Sequence, residues 1–135
     1  MPGATDLSTL LATLSPVRRP GEFVFVTRPL GEVHDLVPLA TVVEDEGTTL
    51  VVTRAAADAR GWGHDFVAAW ITLEVRSSLA AVGLTATVSA ALAEAGISAN
   101  VLAAYHHDHV LVPVDRADDA LAVLTDLARQ APTGS

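Results

Sequence analysis

The sequence predicts an α+β fold of two small modules in tandem, each an antiparallel sheet with helices on one face. Three observations predict it. From Ala69 onward the strand and helix signals run β-α-β-β-α. The first half carries a matching strand–strand–helix succession. The stretch LVVTRAAADA at 50–59 lies over LVPVDRADDA at 111–120, with five identities in ten and the same hairpin-then-helix context, which favours duplication.

Each element follows from local pattern. Leu7, Leu10, Leu11 and Leu14 share one helical face, with Thr5 or Asp6 able to cap it and Pro16 ending it. Glu22 to Arg28, centred on FVFVT, reads as a strand, and Leu30 to Leu39, broken by Gly31 and Pro38, as a loop. Thr41 to Thr53 reads as a hairpin turning at Asp45-Glu46-Gly47, where Gly47 supplies a positive φ. Arg54 to Arg60 is a short Ala-rich helix stopped by Gly61, and the Gly-Trp-Gly-His run at 61–64 connects the halves.

The second half is more regular. Ile71, Leu73 and Val75 point one way and Thr72 and Glu74 the other, as a strand over Ala69 to Val75 requires. Leu84, Val88, Ala91, Leu92 and Ala95 form the buried face of a helix closed by Gly96. Ser98 to Tyr105 and Val110 to Val114 form a hairpin around His106–His109. Asp115 caps a last helix carrying Ala117, Ala120, Leu121, Leu124 and Leu127. Split βαβ units with helices on one sheet face are ferredoxin-like. The second half lacks a strand after its last helix, so the halves are expected to share or exchange strands, the first supplying the missing edge.

Composition narrows function. Half of the 135 residues are hydrophobic but only 4% are aromatic, so the core is Ala, Val and Leu. Small modules bury little surface alone, so each needs the other or a second subunit. Eight arginines, no lysine and sixteen acidic residues leave a net charge of -8, which argues against nucleic acid as a partner. Without cysteine there is no disulfide or thiolate metal site. No apolar run approaches the ~20 residues of a membrane helix, and MPGATDLSTLL lacks the plan of a secretory leader, so a cytoplasmic place is expected. No Gly-x-Ser-x-Gly elbow, Walker sequence or Gly-x-Gly-x-x-Gly loop occurs, so no catalytic residue and no cofactor is assigned.

Particular residues then carry a resemblance. ITLEVRSSLAAVGLTATVSAALAEAGISANVLAAYHHDHVLVPVDRADDALAVL, residues 71–124, resembles the C-terminal ACT module of small bacterial tandem-ACT proteins, through SSL-AVGLTA, GIS-N and YHHDH-LVP. TDLSTLLATLSPV at 5–17 and PGEFVFVT at 20–27 resemble the N-terminal half of that family. The tyrosine, two residues, Asp-His pattern before Leu-Val-Pro is also similar to the ACT module of eukaryotic cytosolic arginine sensors. The resemblance implies an ACT-like module over 1–67 and an ACT module over 68–135. It implies an amino acid or similar small metabolite as ligand, a regulatory role and a homodimer.

Candidate ligand-binding residues fall on two segments. Ser77, Ser78, Val82, Gly83 and Leu84 form the loop side, where backbone N–H groups and the helix start suit a carboxylate. The ordinary alternative is a strand-to-helix turn with serine caps. Asn100, Tyr105 and Asp108 form the strand side, Asp108 pairing a ligand amino or guanidinium group. A turn aspartate bonded to its own backbone is the plainer reading. His106, His107 and His109 raise a metal hypothesis, but strand alternation leaves two ligands per face, so no metal site is assigned. Two rival functions remain open: an oligomerisation module without a ligand, and a His/Asp metal-assisted enzyme.

Overall fold

A computed structural model describes residues 7–74 and 83–130 of the chain. The elements run α1 (Leu7–Ala12), β1 (Ser15–Arg28), β2 (Ala40–Glu44), β3 (Gly47–Thr53), α2 (Arg54–Ala59), β4 (Val67–Glu74), α3 (Leu84–Glu94), β5 (Asn100–Ala103), β6 (Asp108–Pro113) and α4 (Ala117–Gln130). Among the described residues no helix is long and apolar enough to cross a membrane.

The chain forms two compact units, and the larger is discontinuous in sequence. Residues before Gly21 join those after Ala68, while Gly21–Ala68 forms the smaller unit. In the larger unit the strand order is β1-β4-β6-β5. The run from β4 to α4 is a βαββα unit without a closing strand, and residues 15–20 of β1, beside β4, provide it. The donated edge expected from the sequence is therefore β1.

One face of that sheet carries the core. Ala69, Ile71 and Leu73 of β4 and Val110 and Val112 of β6 meet Leu10 and Leu11 of α1, Leu84, Val88 and Leu92 of α3, and Ala117, Ala120 and Leu124 of α4, all buried. Burial of each leucine contributes about 1.5–3 kcal/mol. Helix α3 ends where Gly96 turns left-handed at φ 74°. There the Ile97 N–H donates to the Leu92 carbonyl at 2.9 Å and the Gly96 N–H to that of Ala93 at 2.9 Å, with Ile97 buried beneath. This is the Schellman arrangement, with its apolar contact. Asp115 does not stand directly before α4: it lies inside a 3-10 turn, Val114–Arg116, that leads into the helix.

In the smaller unit the order is β2-β3-β1, antiparallel throughout, from Phe23↔Thr53 to Arg28↔Thr48 and from Ala40↔Val51 to Glu44↔Gly47. Val24, Val26, Leu50, Val52 and Ala57 form its core. Helix α2 starts where Thr53 Oγ1 accepts the Ala56 N–H at 3.1 Å. Gly47 has φ 156°, and a Cβ there would stand 2.9 Å from the Arg28 carbonyl oxygen and from Thr27 Oγ1. The hairpin therefore needs glycine for close approach as well as for its turn.

Several details differ from expectation. β1 begins at Ser15 rather than Glu22 and runs through Pro16 and Pro20. β5 stops at Ala103 and β6 starts at Asp108, because the Ala104 N–H closes a tight turn on the His107 carbonyl at 3.1 Å. Ala95, assigned to the buried face of α3, is exposed at the helix end.

Candidate functional site

The hairpin β5–β6 and the start of α3 carry the described candidates. Ser77, Ser78 and Val82 lie outside the described residues. Gly83 caps α3 with φ 98°, and its carbonyl accepts the Thr87 N–H at 2.9 Å. The space a Cβ would take at Gly83 is faced by the Leu7 side chain at 3.2 Å, so α1 fills the gap that the missing side chain leaves. Leu84 is buried in the core with Val110 and Val112.

The ladder register sorts the strand residues. Asn100 opposes Leu111, Val101 opposes Val110, Leu102 opposes His109 and Ala103 opposes Asp108. Val110 belongs to the helix-covered core. Side chains alternate along a strand, so Asp108 lies on the helix side of the sheet and Asn100, with His109, on the other. Tyr105, in the turn, is 79% exposed and stands edge-on to the His106 ring at 5.0 Å between centroids. The structure therefore puts Asp108, Gly83 and Leu84 on one side of the sheet, with Asn100 on the other and Tyr105 in solvent.

Asp108 is half-buried, and its carboxyl has no hydrogen bond or ion pair among the described residues. Burial pushes its carboxyl above the usual aspartate range, and the nearby His109 and His107 offset that only in part. A carboxylate in this state gains from any cation that reaches it. The His107 Nδ1 is buried without a partner. Among the described residues no group of three His, Asp or Glu side chains is placed to hold a metal ion.

Sequence reasoning missed the polar cluster on the opposite face. The Trp70 indole N–H donates to His109 Nδ1 at 3.1 Å, and Thr72 Oγ1 lies 3.0 Å from the same nitrogen. An indole only donates, so Nδ1 carries no proton and the Thr72 hydroxyl must donate as well. His109 is thus the neutral tautomer protonated at Nε2. Burial, followed by the Arg19 charge, lowers its pKa from the ordinary 6.5. The Arg19 guanidinium lies over the Trp70 ring, 4.6 Å from its centre. The sequence signalled its parts separately, His109 among the hairpin histidines and Thr72 opposite to Ile71, but not their meeting.

A cleft of about 530 Å³ in the smaller unit is lined by Phe25, Thr27, Thr49, His64 and Asp65, among others. None of the sequence-derived candidates lines it. His64 is already paired with Asp58, Nε2 to Oδ1 at 2.8 Å.

Comparison with known proteins gives a consistent result. Two ACT-domain family profiles match, one over residues 2–69 and one over 66–126. No curated protein matches. A crystal structure from Vibrio cholerae, of a protein of unknown function described as a possible transport protein, is 43% identical over 90% of this chain and 95% of that one, with a TM-score of 0.82. The aspartokinase alpha and beta subunits align over 84% of this chain and 97% of that one at 13% identity and TM-score 0.61. The regulatory subunit of aspartate kinase from Thermus flavus aligns over 84% and 95% at 11% identity and TM-score 0.53. At those identities the last two are likenesses of fold.

Proposed function

Since the chain belongs to the ACT-domain family, we propose that it is a regulatory or sensory protein that binds an amino acid or a similar small metabolite and catalyses no reaction. It acts in the cytoplasm as a homodimer, with a module over 1–67 and a second over 68–135. The observation that carries the reading is Asp108. A half-buried carboxylate held without a hydrogen-bonding or ionic partner among the described residues is a costly arrangement for a surface that only packs, and a useful one for a surface that receives a cation. A ligand ammonium or guanidinium group pairs with Asp108, while Ser77, Ser78, Val82, Gly83 and Leu84 give the backbone side of the site. Tyr105, at the hairpin turn beside Asp108, flanks its approach, while Asn100, on the other sheet face, stands outside it. The net charge of -8 favours a ligand with a cationic group.

A thermal-shift screen of the full chain against the twenty amino acids tests this. A ligand at a hundred times its Kd adds about 2.7 kcal/mol, which raises Tm by several degrees in a chain of this size. Asp108→Asn is expected to abolish that rise while leaving the ligand-free protein as stable or slightly more so, because the uncompensated charge is gone. No response to any amino acid sinks the reading, as does an undiminished response in D108N.

A further inference from the structure

On the sheet face opposite to Asp108, within the larger unit, four residues are arranged in a way that core packing does not require. Five of the described arginines, Arg28, Arg54, Arg60, Arg116 and Arg129, pair with a carboxylate. In a chain with sixteen acidic residues, Arg19 has no such partner among the described residues. It lies instead on the face of the buried Trp70. Stacking occupies the guanidinium face and leaves its N–H edge free to donate in its own plane.

Beside it, the Trp70 and Thr72 bonds to Nδ1 fix the proton of His109 on Nε2, which the ring geometry directs away from both. The His109 ring centre is 5.2 Å from that of Trp70. Burial, and after it the nearby Arg19 charge, lowers the pKa of the ring. The Nε2 proton is left for a partner other than Trp70 and Thr72. One fixed cation and one fixed neutral donor therefore flank the same indole.

We propose that the Arg19 guanidinium edge and the His109 Nε2–H form a binding subsite for the carboxylate of a small molecule. A single positive charge matches a monoanion. A phosphate dianion would leave one charge uncompensated on a chain already at -8. Trp70 and Thr72 are positioning residues: they set the tautomer of His109, and Trp70 also holds Arg19. The subsite goes beyond the amino-acid reading, since Asp108 lies on the other face.

The test is a nitrogen NMR titration of the full chain, observing the imidazole, indole and guanidinium resonances. Sodium acetate is the probe, with inorganic phosphate as the second arm and sodium chloride keeping ionic strength constant. Without probe, His109 is expected to show a bare Nδ1 and a protonated Nε2. Acetate shifts His109 Nε2 and the Arg19 side chain along a saturating curve. Arg19→Gln, at an exposed position, leaves the tautomer unchanged and weakens acetate binding about tenfold or more. D108N leaves acetate binding intact, so this subsite and the amino-acid site fail separately. A proton on Nδ1, shifts that never saturate, or saturation unchanged in R19Q would overturn the proposal. Tighter saturation by phosphate than by acetate would overturn the choice of a carboxylate.

Discussion

The larger unit covers its sheet with three helices, whereas the smaller has an apolar core of its own and a loop tied down by charge. In the larger, α1, α3 and α4 press leucine and alanine onto one sheet face, and the buried cluster is wholly apolar. In the smaller, residues 29–39 lie between β1 and β2, where a split βαβ unit would place its first helix, and they form none. The loop is tied down instead. The Arg28 Nε and Nη2 groups donate to Glu32 at 2.8 and 2.7 Å, and Arg60 Nη2 donates to Asp35 at 2.8 Å. These bonds hold both carboxyls below their ordinary range. Arg28 and Arg60 also lie over the Trp62 ring, at 4.8 and 5.6 Å, and His34 meets its edge at 5.4 Å. One fold thus tolerates the loss of a helix when a single indole and two ion pairs fix the segment that replaces it.

The largest effect that would break this comparison lies in the larger core. Leu124→Ala opens a cavity where Leu124 is fully buried, and is expected to cost about 2–5 kcal/mol in chemical denaturation. A cost below about 1 kcal/mol would mean that the helices are not what holds this unit.

Next in size, Trp62→Leu removes both cation–π contacts and should cost about 1–2 kcal/mol, at roughly 0.5–1 kcal/mol for each exposed contact. Its signature is local: amide exchange should quicken across residues 29–39 and stay unchanged in α3 and α4. Uniform acceleration over the whole chain would show that the loop is not separately fixed.

The smallest effect is on pH dependence, and near neutrality it falls on His109 of the larger unit. The pKa of His109 in the fold is below its unfolded value near 6.5. The unfolded chain therefore binds the proton first, and the stability His109 contributes is present above pH 6.5 and is lost as pH falls through the folded pKa. Asp108 has the opposite sign. Its folded pKa is above 3.8, so its contribution is full below that value and is lost as pH rises through the folded pKa. His109→Gln should flatten the slope just below pH 6.5 in urea titrations and leave the region near pH 4 untouched. An equal slope in H109Q would mean that Trp70 and Thr72 do not hold the neutral ring.

Most of the larger unit was legible in the sequence because helical periodicity is local. The spacings of Leu84, Val88 and Leu92, and of Ala117, Ala120 and Leu124, identify their buried faces without a partner in view. The first part of β1 was not legible, because Pro16 and Pro20 read as breakers. They are tolerated since the β1–β3 register begins only at Phe23, so residues 15–20 owe that neighbour no N–H donors. Both prolines also have the same strand parity, so their missing donors fall on one edge. Asp108 was legible as a carboxylate at a hairpin end, but its lack of a partner was not, because that depends on everything around it. The Trp70–His109 bond joins residues 39 apart in sequence, and only the placing of β4 beside β6 brings them together.

The donated β1 edge has a consequence for synthesis at the ribosome. Leu10, Leu11 and Leu14 emerge early, yet the leucine they pack with at the far end of the cluster, Leu124, follows about 110 residues later. At roughly 5–20 residues per second that is an interval of roughly 5–20 s. Throughout it an apolar helix waits for its partners while Gly21–Ala68 is already free to fold. The nascent chain therefore matures from its middle outward, and its first helix is among the last parts to be buried.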